Sequence, residues 1–137
     1  MQKLVLLMDK LKIQLINKFV EVIQIVIAEV LQISYDPSTV SLKELLGFFY
    51  KTHDPTTLNS QGPDQGTQYR SAIFTHDDED LKIAKQVTEE YQPKWGNAIV
   101  TKVEPIKNFY DAEDYHQLYL HNNPSGYECP THFVRNI

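Results

Sequence analysis

Apolar residues recur every three to four positions through the first 27 residues of the chain: Leu4, Leu7, Met8, Leu11, Leu15, Phe19, Ile23, then Val26 or Ile27. That spacing is the period of an amphipathic helix. The stretch is also dense in β-branched side chains, which lose rotamer freedom in a helix and weaken that expectation. It contains no Gly, Pro, Ser or Thr, so nothing punctuates it. From Ala28 the pattern changes. Residues 30–35 read as a strand stopped by Asp36-Pro37. Ser41-Leu42-Lys43-Glu44 is a capping box, each side chain satisfying the other's free backbone N–H. It opens a helix to about Thr52 that buries Leu42, Leu45, Leu46, Phe49 and Tyr50. Residues 53–66 form a polar loop rich in Pro, Gly, Asn, Asp and Ser, long enough for a small domain to suggest function or disorder. Residues 68–74 predict a strand, and 77–91 a helix with acids in its first turn, ended by Pro93. Residues 99–104 predict a strand stopped by Pro105, and 111–120 a short helix broken by Asn122, Asn123 and Pro124. The remainder reads as an irregular tail. Strand and helix alternate three times, which predicts helices layered on a small sheet. There is no internal repeat and no low-complexity tract.

Composition narrows the function classes. The chain has 137 residues, enough for one domain with one core. It is 42% hydrophobic and 23% charged, the balance of a soluble protein. A net charge of −5 argues against binding nucleic acid without regard to sequence and against a polybasic membrane surface. No uninterrupted apolar run approaches the roughly 18–20 residues that span a bilayer. Leu4–Leu7 is too short for a secretory core and runs into Asp9, Lys10 and Lys12. The expectation is a cytoplasmic protein. One cysteine, Cys129, excludes a disulfide within the chain and a thiolate zinc site. The spacing of His53, His116, His121 and His132 fits no zinc pattern, so no metal is expected.

Three segments carry candidate chemistry. The first runs Gly62-Pro63-Asp64-Gln65-Gly66-Thr67-Gln68-Tyr69-Arg70-Ser71, preceded by His53-Asp54-Pro55-Thr56. The second is Lys107-Asn108-Phe109-Tyr110-Asp111-Ala112-Glu113-Asp114-Tyr115-His116-Gln117, continuing to Tyr119-Leu120. The third is Gly126-Tyr127-Glu128-Cys129-Pro130-Thr131-His132. With Ala28-Glu29-Val30, these resemble the A-type peptide methionine sulfoxide reductases over residues 28–137, in long motifs that occur together. Singly, each residue has a plainer reading. Glu29 would be a solvated charge, Asp64 a turn residue, Tyr69 packing and Cys129 an inert thiol. The functional roles come from the resemblance.

What the resemblance implies is specific. Reducing a sulfoxide takes a thiolate to attack sulfur, an acid for the departing oxygen and donors that hold that oxygen. The family pattern makes Glu29 the acid, Tyr69 the phenol donor and Asp64 a supporting carboxylate. Cys129 falls where some members carry a resolving cysteine, which converts a sulfenic acid to a disulfide that thioredoxin reduces. The implied substrate is the S-epimer of methionine sulfoxide, in proteins or free. The implied reductant is thioredoxin, or dithiothreitol in vitro, with no bound cofactor. The implied partners exclude nucleic acid and membrane, and the expected state is a monomer. The implied fold is α+β, a two-layer α/β sandwich with a ferredoxin-like core, a small mixed sheet, a long functional loop and an irregular C-terminal tail.

The family's Gly-Cys-Phe-Trp-Gly nucleophile motif does not occur in these 137 residues, and the only Trp, Trp95, has another context. The expectation is therefore an N-terminally truncated, partial reductase domain over 28–137 behind a non-family segment, 1–27. Its activity would be absent or very low, with a non-catalytic remnant or binding module for oxidised methionine as the alternative. The genetic code supports a specific origin for 1–27. Codons compatible with residues 3–27, read from each third base, permit Val-Gly-Phe, then Asn-Pro-Thr-Tyr, Val-Cys and a final His, with a glycine forced at Met8-Asp9. The family shows that order immediately before Ala-Glu-Val, so 1–27 reads as an out-of-frame translation.

Overall fold

The computed structural model describes residues 2–6, 28–107, 109, 114 and 117–137. Among these, a four-stranded sheet runs in the order β2-β1-β5-β6, with β1 Gln2–Leu6, β2 Leu31–Tyr35, β5 Ala72–Thr75 and β6 Lys102–Pro105. β1 is antiparallel to both β2 and β5, and β5 is parallel to β6, so the sheet is mixed. A separate hairpin pairs β3 Ser60–Gln61 with β4 Asp64–Gln65 inside the long polar loop. The helices are α1 Leu42–Thr52, α2 Asp78–Tyr91 and α3 Tyr119–Asn122. No helix among the described residues is long and apolar enough to cross a membrane.

The core follows from the patterning. The capping box is made in both directions: Glu44 N–H donates to Ser41 Oγ at 3.1 Å, and Ser41 N–H to Glu44 Oε2 at 2.8 Å. This sets α1 in phase, so Leu42, Leu46, Phe49 and Tyr50 all turn inward. They meet Tyr35 of β2, Ile73 of β5, Ala84 and Val87 of α2, and Ile99. α1 packs on α2, and α2 on β5 and β6. Asp77 caps α2 by accepting from Asp80 N–H at 2.8 Å, and the acids Asp78, Glu79 and Asp80 fill its first turn, as the dipole favours. α2 ends because Pro93 enters the 3-10 turn Gln92–Trp95, where a missing N–H is tolerated, and Gly96 closes that turn at φ 63.

Three expectations need correction, and a fourth lies largely outside the described residues. The helical period over residues 2–6 gives way to a strand, because β2 and β5 each need a backbone partner and β1 satisfies both. The rest of that periodic stretch lies outside the described residues. Residues 68–74 are not one strand: Thr67–Tyr69 is a 3-10 turn and only Ala72–Thr75 joins the sheet. β6 is shorter than residues 99–104 and takes in Pro105. Ile99 is held instead by the Gln92 amide, which bonds its N–H at 3.0 Å and its carbonyl at 3.1 Å. The helix expected over 111–120 falls largely outside the described residues; α3 begins at Tyr119, after Leu118 at φ 53.

Candidate active site

The chain between β3 and β5 carries Asp64 and Tyr69, and Glu29 bonds to it at the residue before Tyr69. Gly66, at φ 138 in a region that L side chains rarely adopt, turns the chain out of β4. Its N–H donates to Asn59 O at 2.9 Å, and its carbonyl accepts from Tyr69 N–H at 3.0 Å. Arg70 locks the turn, its Nη1 donating to Thr67 O at 2.8 Å. Burial pulls the Arg70 pKa below its ordinary value, opposed by the charge of Glu104. Glu29 docks on the same turn: its N–H donates to Gln68 O at 3.0 Å, one residue before Tyr69. Glu29 is only 5% exposed, so its carboxyl is not the solvated charge that its type alone would suggest. Tyr69 and Asp64 are half-buried, and Tyr127 from the tail donates its hydroxyl to Asp64 Oδ2 at 3.2 Å.

Cys129 lies against the β3–β4 hairpin, 1% exposed. Its Sγ points at Gln61 O at 3.6 Å and lies 3.2 Å from Thr131 Oγ1. The thiol therefore shares a hairpin with Asp64. Among the described residues, no group of three or more His, Cys, Asp or Glu is placed to hold a metal.

Two groups matter to this region more than their sequence context indicated. His53 is fully buried at the C-terminal end of α1, its Nδ1 2.8 Å from Phe49 O and its Nε2 2.7 Å from Ser71 Oγ. A carbonyl only accepts, so Nδ1 carries the proton and Nε2 accepts from Ser71. Ser71 Oγ is also 2.8 Å from Thr101 Oγ1. Burial, more than any other influence, pulls the His53 pKa down to about 4. His53 thus anchors Ser71, two residues after Tyr69. Gln61 is the second group. It is 4% exposed, and its side-chain amide accepts from Asp54 N–H at 2.9 Å and donates to Asp54 O at 2.8 Å. The His53-Asp54 motif was the available signal for the first. Nothing in the local pattern singled out Gln61, because its partners are distant in sequence.

The family model described as peptide methionine sulfoxide reductase matches residues 18–136. The peptide methionine sulfoxide reductase of Saccharomyces cerevisiae is 64% identical over 110 residues, covering 80% of this chain and 60% of that protein. The crystal structure of Mxr1 from Saccharomyces cerevisiae in reduced form superposes with a TM-score of 0.79 at 65% identity, over 80% of this chain and 60% of the other. The same protein in complex with Trx2 superposes with a TM-score of 0.58 at 49% identity, over 80% of this chain and 63% of the other. The chain thus spans about three-fifths of the length of these relatives.

Proposed function

The chain belongs to the peptide methionine sulfoxide reductase family, and from that premise we propose that its site belongs to the thiol-dependent reduction of the S-epimer of methionine sulfoxide. The observation that carries this reading is the buried Glu29 docked on the turn that presents Tyr69. Glu29 gives its proton to the sulfoxide oxygen, Tyr69 holds that oxygen and Asp64 supports the pocket. In the balanced reaction, methionine sulfoxide and two thiols give methionine, a disulfide and water. A thiolate attacks the sulfoxide sulfur as Glu29 protonates the oxygen; the oxygen passes to the attacking sulfur as methionine is released, and a second thiol displaces that oxygen from the sulfenic acid as water. Cys129 is the second thiol. Thioredoxin is the reductant, in keeping with the complex that the yeast relative forms with Trx2. The protein needs no bound cofactor, works as a monomer and resides in the cytoplasm.

Residues 28–137 are the reductase domain and 1–27 a segment of different origin, although residues 2–6 supply a strand of the sheet and the family match reaches back to residue 18. The domain is a two-layer sandwich with a ferredoxin-like core, a reading supported by α2 lying across β5 and β6. The family's nucleophile motif is absent from these 137 residues, and Cys129 stands in a different motif. The 137 residues therefore bind the sulfoxide without turning it over. The test is a titration with the S-epimer of N-acetylmethionine sulfoxide, beside a dithiothreitol-driven turnover assay. Binding should weaken about tenfold in Glu29→Gln and in Tyr69→Phe, the loss of one buried hydrogen bond each. Turnover that survives Cys129→Ser would refute the thiol assignment; turnover lost in that variant would make Cys129 the attacking group instead.

A further inference from the structure

Cys129 is buried although its sequence neighbours Glu128 and Pro130 are both exposed. A thiol in that position cannot meet a sulfenic acid or a disulfide sulfur unless its segment moves. The contacts around it show where the segment is held. At one end, Arg135 N–H donates to Lys51 O at 2.9 Å and its Nη2 to Thr131 O at 2.8 Å, while the guanidinium lies 4.0 Å from the Phe133 ring centre and 5.3 Å from that of Trp95. At the other end Gln61 meets both Cys129 and Thr131. Its carbonyl faces Cys129 Sγ, its Oε1 accepts from Thr131 Oγ1, and the same amide is pinned to Asp54 by two further hydrogen bonds. Gly62 fits this seat, for a Cβ there would lie 3.0 Å from Thr131 Cγ2 and 3.3 Å from Cys129 Sγ.

We propose that Gln61 is a positioning residue, the catch of a latch that holds Cys129 inside the protein, and that letting go of Thr131 and Cys129 while Arg135 stays anchored is the motion that presents the thiol. This rests on the proposed resolving role of Cys129 and names what regulates it. The motion is a local opening, exchanging the hydrogen bonds of Thr131 and Cys129 to Gln61 for water without unfolding the core. It also withdraws Tyr127 from Asp64, so that the carboxylate and the thiol change surroundings together. Local opening of this kind sets the labelling rate of a buried thiol through its equilibrium population.

The experiment measures alkylation of Cys129 by iodoacetamide in the full chain, with urea unfolding recorded for each variant. It reads exposure rather than turnover, so it can fail while the resolving role stands, and the reverse. Thr131→Val removes the hydroxyl that donates to Gln61 and lies 3.2 Å from Cys129 Sγ, and Gln61→Ala removes the catch together with its two bonds to Asp54. Thr131→Val should raise the labelling rate about tenfold, the loss of one buried hydrogen bond, and Gln61→Ala at least as much. Ile73→Val serves as the control for general destabilisation. The proposal is supported if both latch variants label faster than Ile73→Val at equal global stability. It is overturned if they label no faster than the unaltered chain, if the rise tracks global stability in all three, or if the unaltered chain already labels at the rate of an exposed thiol.

Discussion

His53 shows at the level of a single side chain how burial becomes a pH response. Its ordinary pKa is 6.5 and its folded value is about 4, so the unfolded chain binds the extra proton first. The stability it contributes is complete above pH 6.5 and falls as the pH drops toward 4, by about 3 kcal/mol in all. Urea titrations between pH 7 and 4 should show this loss, and His53→Gln should flatten the slope in that window. An unaltered slope in the variant would place the proton elsewhere. Glu29, Asp64, Tyr69 and Cys129 were all legible as candidates from their motifs, but their surroundings were not. Glu29 is buried by a turn nearly 40 positions away, and Cys129 by a hairpin more than 60 positions away, so neither environment is written beside the residue.

Among the elements, α1 and α2 were the most readable, because caps and apolar spacing act over a few residues. Ser41→Ala removes the cap that Glu44 N–H uses and should lower stability by about 1 kcal/mol, measurable by thermal unfolding. β1 was the least readable. Its residues carry a helical period, yet they lie between β2 and β5, with Val5 opposite Gln32 on one side and Phe74 on the other. Strand pairing depends on what is opposite rather than on what is adjacent. Among the described residues, β2 pairs with the rest of the sheet only through β1. Val5→Pro should therefore strip exchange protection from the amides of β2 while leaving α1 and α2 protected. Protection that persists in β2 would mean that the strand does not depend on β1. The expected single strand over 68–74 failed for a comparable reason: Gly66 and Arg70 stabilise a 3-10 turn that strand propensity does not anticipate.

At the scale of the whole molecule, charge and fold act together. With a formal charge of −5 at neutral pH and a sequence pI of about 5.5, the protein loses its net repulsion inside the same interval in which His53 costs stability. Light scattering across pH 7 to 4.5 should show association rising most steeply close to pH 5.5, and added salt alone at pH 7 should not reproduce it. Patterns read along the chain sufficed for the family, the two long helices with their caps, the strand ending before Asp36 and the identity of the candidate acid, phenol, carboxylate and thiol. These depend on local spacing, local capping and motifs read along the chain. The tertiary structure adds that residues 2–6 complete the sheet, that the Glu29 N–H bonds the carbonyl of the residue before Tyr69, and that Cys129 packs against Gln61. Each of those is a contact between segments far apart in sequence, and the free energy of such contacts belongs to neither segment until the fold brings both together.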